Sequence, residues 1–175
     1  MNKNKDKRPL YFISGQDFYF LAYSILLVLE FLGGSAKRVK DHRKFAYLIQ
    51  FIGDDRLLGI LKRHDGKSIV NPTDRELLHT SFTNAELQKR EVFKILLSLE
   101  RKEYIKLERT AVAEILDVAL LSENLPNSFF SSKHFQKERK NAEDLKKIIQ
   151  RLSILSFDSM LDRLYKERGV HVWAS

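Results

Sequence analysis

The residues able to hold a metal or move a proton are few and scattered. The five histidines, His42, His64, His79, His134 and His171, never fall at the short spacing that lets two imidazoles on one element share an ion. His42 recurs with Phe45 and Ile49 at helical spacing, as an imidazole at the edge of a core does, while His64 and His134 adjoin loops and are expected to be solvated. Gly66-Lys67-Ser68 ends like a phosphate-binding loop, but that loop needs its first glycine where Leu61 stands, and no buried strand precedes it. Asp54-Asp55 pairs two carboxylates, which a helix start explains without a metal. Glu103 and Lys106 lack the companion-strand aspartate of a nuclease centre, and no Gly-x-Ser-x-Gly turn presents a serine nucleophile. With no cysteine, disulfides, thiolate zinc sites and thiol nucleophiles are excluded. The expectation is a non-enzyme without catalytic residues, metal or cofactor.

What remains is charge and apolar patterning. The chain has 175 residues, 43% hydrophobic and 31% charged, enough for one compact domain or two small lobes sharing a core and too apolar for a disordered chain. Thirty-one Lys and Arg against 23 Asp and Glu give a net charge of +8, which permits a polyanionic partner. The excess lies in three segments, 1–8, 37–44 and 133–147, the last with six basic residues against three acidic.

Residues 18–32 form the most apolar run, at 15 residues too short for a span of roughly 20. Ser14-Gly15-Gln16-Asp17 separates it from the basic start, against an export signal. A buried helix in a cytoplasmic protein, not bound to membrane, is the expectation.

Punctuation along the chain predicts the elements. A basic disordered arm occupies 1–9. A helix capped by Ser14 or Asp17 runs to about 32, apolar nearly all round, and Gly33-Gly34 ends it. A second helix is predicted over 36–52, and a third, capped by Asp54-Asp55, through Leu61. Asp65-Gly66 is a turn, and Asn71-Pro72-Thr73 a break with Thr73 or Asp74 as the next cap. A short helix over 73–80 stops at Ser81-Phe82, and Thr83 with Glu86 has the spacing of a capping box opening a helix to 101. Alternation over 104–109 and 114–121 suggests a hairpin, although 110–121 also fits a helix. After a loop over 122–132 come helices over 133–155 and 157–168, the latter ended by Gly169, and a tail over 170–173 that is a short strand or an anchor. The predicted fold is mainly α. It divides into an arm (1–9), an N-terminal helical part (10–70), a winged-helix-like part with a small β-hairpin (71–122) and long C-terminal helices packing on both (123–175).

A winged helix reads DNA with its second helix in the major groove. Here that helix, 84–103, sets Lys89, Arg90, Lys94, Arg101 and Lys102 against Glu86, Glu91, Glu100 and Glu103, a net of only +1, which disfavours base readout. Non-specific contact with double-stranded DNA through the basic segments fits equally with those segments merely solubilising the helices. The candidate DNA-contacting residues are Lys37, Arg38, Lys40, Arg43 and Lys44, and Lys133, Lys137, Arg139 and Lys140.

The apolar first helix closed by Gly33-Gly34, the segment HRKFAYLIQFIGDD from His42 to Asp55, and the winged-helix-like half after Pro72 together resemble the middle component of bacterial three-component ABC-ATPase defence systems of the Lamassu type. The resemblance covers much of the chain and carries over no specific functional residue. It implies a non-enzymatic adaptor that joins an SMC-like ABC ATPase to a nuclease effector in anti-phage or anti-plasmid defence. Phe18, Tyr19, Phe20, Tyr23 and Phe31 would divide between core and partner surface. Phe129 and Phe130 in a polar loop, and Trp173 near the end, are the candidate partner-interface residues, with folding back onto their own core as the alternative. A stand-alone winged-helix transcription regulator is the competing reading.

Overall fold

The computed structural model describes residues 18–173. The arm at 1–9 and the caps Ser14 and Asp17 lie outside the described residues. Helix α1 occupies residues 18–27 and widens into a π-helical turn, Val28–Leu32. Then follow β1 (Arg38–Val39), α2 (Lys44–Gly53), α3 (Asp55–Arg63), α4 (Pro72–Arg101), β2 (Ile105–Arg109), β3 (Leu116–Leu120), α5 (Gln136–Ile148) and α6 (Phe157–Leu164). Short 3-10 turns cover Ser122–Asn124, Phe129–Ser131, Lys133–Phe135 and Lys166–Arg168. The fold is mostly helical, with one small antiparallel sheet. No helix among the described residues is long and apolar enough to cross a membrane.

Three expected elements come out differently. Residues 36–43 are not helical: Lys37 (φ 49°) and Asp41 (φ 69°) are left-handed, and the two residues of β1 pair with Val118 and Ala119. Helix α2 therefore starts only at Lys44, after the Asp41 carboxylate accepts the Arg43 N–H at 3.0 Å. The break at Ser81-Phe82 does not exist, because α4 runs unbroken for 30 residues. The Ser81 hydroxyl donates to the Leu78 carbonyl (2.7 Å) and Thr83 to that of His79 (3.2 Å), so the groups that suggested caps fold back on their own helix. Asn71 is its cap, accepting the Thr73 N–H at 2.9 Å, with Pro72 in the first turn. The helix expected over 133–155 ends at Ile148, and a turn with Arg151 at φ 62° follows.

Other signals hold. Asp54 caps α3 by accepting the Arg56 N–H, Gly66 (φ 61°) turns the chain, and Gly169 (φ 80°) closes the last helical turn. The hairpin forms in the register Ile105↔Leu120 to Arg109↔Leu116, and β3 lies between β1 and β2.

The core is one cluster reaching from Leu21 to Val170. At its centre is α2, where Phe45, Tyr47, Leu48, Phe51 and Ile52 are fully buried. Each such side chain contributes roughly 1.5–3 kcal/mol on burial, so α2 is held by packing on all sides rather than by a single apolar stripe. The C-terminus is tied in from within: the buried Arg168 guanidinium donates to the Leu61 carbonyl at 3.3 Å and to that of Arg163, while its own carbonyl accepts the Ile69 N–H at 3.1 Å.

Candidate interaction surfaces

The basic segment 37–44 directs most of its charge inward. The Lys37 amine meets the Glu30 carboxylate at 2.8 Å. Arg38 bridges Glu108 and Asp117, both at 2.8 Å, and Asp117 also accepts the Asp41 N–H. Arg43 clasps Asp41 through two guanidinium nitrogens and lies 4.3 Å above the Phe157 ring. Lys44 is fully buried, donating to the Leu152 carbonyl at 3.0 Å and, more weakly, to that of Ser153 at 3.4 Å. Burial pushes its amine down to about 8, against the pull of the Asp41 and Asp117 carboxylates. Lys44 therefore has no access to a phosphate. Of the five, Lys40 is the one that is exposed, without an ion pair among the described residues.

In the second basic segment, Lys137 pairs with Asp55 at 3.2 Å and Arg139 donates to the Ser132 carbonyl, while Lys133 and Lys140 are exposed and form no ion pair among the described residues. The Lys40 N–H donates to the Ser153 carbonyl at 2.8 Å. That bond ties the first segment to the turn after α5, next to which Lys146 and Lys147 at the end of α5 and Arg151 in the turn are also exposed. The resulting basic corner joins Lys40 of the first segment to Lys146 and Lys147 of the second and to Arg151 just beyond it.

A second surface is aromatic. Tyr23 of α1 stacks on Phe135 (ring centroids 3.7 Å apart) and on Phe129 (5.2 Å), and its hydroxyl donates to the Phe129 carbonyl at 3.2 Å. Phe130 packs edge-on against Phe129 and Phe31. Phe129 and Phe130 thus turn back onto the core and stay half-buried. Together with α1 and the end of α4 they leave an open groove of about 420 Å³. One wall is Phe18, Tyr19 and Tyr23, a helix face at i, i+1 and i+5; the other is Leu99, Lys102 and Tyr104. Tyr19 is 72% exposed. Among the described residues no carboxylate lines the groove, and Lys102, exposed and without an ion pair, is its one cationic wall residue.

The third surface is the C-terminal tail, an anchor rather than a strand. Val170 is buried, and the Trp173 ring packs edge-on against Phe82 at 4.6 Å and beside His79 at 5.7 Å, yet stays 48% exposed. Beneath it Phe82 meets Tyr165, whose hydroxyl lies 3.3 Å from that of Ser81.

The titratable groups elsewhere serve the packing. Tyr47 donates to Glu86, which also holds Lys89 at 2.9 Å; burial and that carboxylate keep the phenol well above its ordinary range. The His42 Nδ1 accepts the Leu116 N–H at 3.1 Å and its ring lies 5.2 Å from Phe93, with burial holding the imidazole below its ordinary value. His64, expected to be solvated, instead sits 3.0 Å from Asp74, which also pairs with Arg63. Among the described residues no three His, Asp or Glu side chains group as metal ligands would. No family model, curated protein or solved structure matches the chain.

Proposed function

We propose that the chain is a non-catalytic adaptor subunit of a bacterial anti-phage or anti-plasmid complex, joining an SMC-like ABC ATPase to a nuclease effector. The partners come from the resemblance of the first helix, the segment from His42 to Asp55 and the second half to the Lamassu middle component. The observation that carries the bridging role is the separation of the two aromatic surfaces along one rigid element. Trp173 rests on Phe82 and His79 near the start of α4, and the groove is walled by Leu99 and Lys102 at its end. Twenty residues of unbroken helix hold them about 30 Å apart, a span on which two proteins can sit without colliding. What supports the winged-helix part of this reading is the strand order: β1 lies between the first two helices and joins the far side of β3, giving β1-β3-β2. The basic corner at Lys40, Lys146, Lys147 and Arg151 supplies an auxiliary, non-specific DNA contact.

The test is co-purification of the tagged full chain from its host at moderate salt. An ATPase and a nuclease should come down in fixed ratio, and Trp173→Ala should release one while leaving the other bound. Recovery of the chain alone would overturn the adaptor reading.

The strand order together with the exposed Arg90, Lys94 and Arg101 of α4 favours a second reading, a winged-helix transcription regulator. A regulator would be a homodimer that shifts one operator sequence at physiological salt. An adaptor's DNA affinity would instead vanish with salt regardless of sequence.

A further inference from the structure

We infer that the groove between α1 and the end of α4 docks an amphipathic helix of a partner protein that carries acidic residues beside its apolar stripe. This rests on the adaptor reading and names the chemistry that one partner must bring.

Three features define the occupant. The groove's size and its aromatic walls suit two or three large apolar anchors at helical spacing, the mode in which a helix lies in an apolar cleft. Its walls are already organised: Tyr23 is locked by the stack on Phe135, the ring of Phe129 and the hydrogen bond to the Phe129 carbonyl, so little ordering remains to be done on binding. Tyr19 stands 72% exposed at the rim, a large amphipathic ring of the kind enriched where proteins meet. The sign of the partner follows from charge. Among the described residues Lys102 lines the groove with no carboxylate in the lining, and its chain neighbours Arg101 and Glu103, both exposed, carry opposite charges, so that Lys102 sets the sign of the wall. A partner helix with Asp or Glu flanking its apolar stripe gains an ion pair at Lys102, whereas one flanked by Lys is repelled.

The test uses the full chain and two fluorescein-labelled amphipathic peptides sharing one Leu/Phe stripe, one with Glu and the other with Lys at the flanking positions, read by fluorescence anisotropy. The Glu peptide should bind roughly tenfold or more tightly than the Lys peptide at low salt. Lys102→Glu should reverse that preference, and Tyr19→Ala should weaken the Glu peptide several-fold. Both side chains are exposed, so unchanged circular dichroism confirms that the variants fold. Absence of binding, equal binding of the two peptides, or indifference to Lys102→Glu would overturn the inference. So would a dimer in sedimentation velocity that Tyr19→Ala dissolves, which gives the groove to a second copy. A tenfold gain in peptide affinity on Phe12→Asp, which gives it to the chain's own first residues, would also overturn it. Peptide binding without co-purifying ATPase and nuclease would keep the groove assignment and reject the defence adaptor. Co-purification that Lys102→Glu leaves intact would do the reverse.

Discussion

Lys44 offers a stability test whose sign runs against intuition. Its amine is fully buried, satisfied by the carbonyls of Leu152 and Ser153, and faces Asp41 and Asp117 as attracting charges and Lys40 as a repelling one. Folding lowers its pKa from 10.5 to about 8, so over that window the unfolded chain binds more protons than the folded one. Stability from this group therefore rises with pH: the cost of burying the ammonium is full below pH 8 and is relieved as pH approaches 10.5. Between pH 7 and pH 10 the two pKa values give a relief of about 2.5 kcal/mol. Relaxation of the surrounding dipoles around the buried ammonium reduces this to about 1–2 kcal/mol. The perturbation is Lys44→Met, which keeps the volume and removes the titration. The assay is urea unfolding of both proteins at pH 7 and pH 10, followed by far-UV circular dichroism. Tyrosines and other groups shared by both proteins cancel in the difference. The stability of the natural chain relative to Lys44→Met should improve by about 1–2 kcal/mol from pH 7 to pH 10. A difference that stays constant, or that moves toward the methionine variant, would refute the reasoning.

Gly33→Ala should lower stability by about 3 kcal/mol, or roughly 10 °C in Tm. A Cβ there would press on the Leu29 carbonyl oxygen and lie 2.7 Å from the Arg38 nitrogen, both backbone atoms with no room to give. Asn141→Leu should cost about 2 kcal/mol in denaturant unfolding, because the buried Asn141 amide donates to the Ile52 carbonyl at 2.8 Å and leucine leaves that acceptor without a donor. Replacing Lys40, Lys146, Lys147 and Arg151 with Gln should flatten the dependence of log K on log salt for a short DNA duplex, by about 0.9 for each phosphate no longer neutralised. Replacing Arg38 and Arg43 should leave that slope unchanged, since both are already paired with carboxylates.

Sequence signals were legible wherever one residue does one local job. Asp54 caps α3, Gly169 closes the final turn, and the alternation of Ile105, Lys106, Leu107 and Glu108 makes a strand. They failed where the deciding partner is distant or the same group has two local uses. A hydroxyl that caps a helix and one that bonds back to its own helix look alike in sequence, which is why Ser81 and Thr83 hid the continuity of α4. Strand β1 has too few residues to show a period, and its left-handed flanks are Lys37 and Asp41 rather than glycine. Candidate surfaces behaved likewise. Phe129 and Phe130 stood out as aromatics in a polar loop, but Tyr23 and Phe135 are 112 residues apart, and nothing in either neighbourhood announces their stack. Arg38 read as part of a solvated face because its carboxylate partners, Asp117 and Glu108, arrive from the hairpin.

The brevity of β1 also bears on how the fold assembles. The hairpin of β2 and β3 closes a short loop, and α4 forms from neighbours in sequence, so both can organise early. Arg38, by contrast, must find Ala119 across about 80 residues of chain, at a substantial loop-closure entropy. What rewards that encounter is two residues of ladder, the Arg38 pairs with Asp117 and Glu108, the hydrogen bonds of Asp41 to Asp117 and of His42 to Leu116, and the tie from Lys40 to Ser153, all of which form after the loop has closed. Residues 33–43 should accordingly dock late and open first. Their amides should exchange with solvent deuterium well before those of β3's other neighbour, while the helices around them remain protected. In the adaptor proposed above, this edge would open without disturbing α4, the element assigned to the partners.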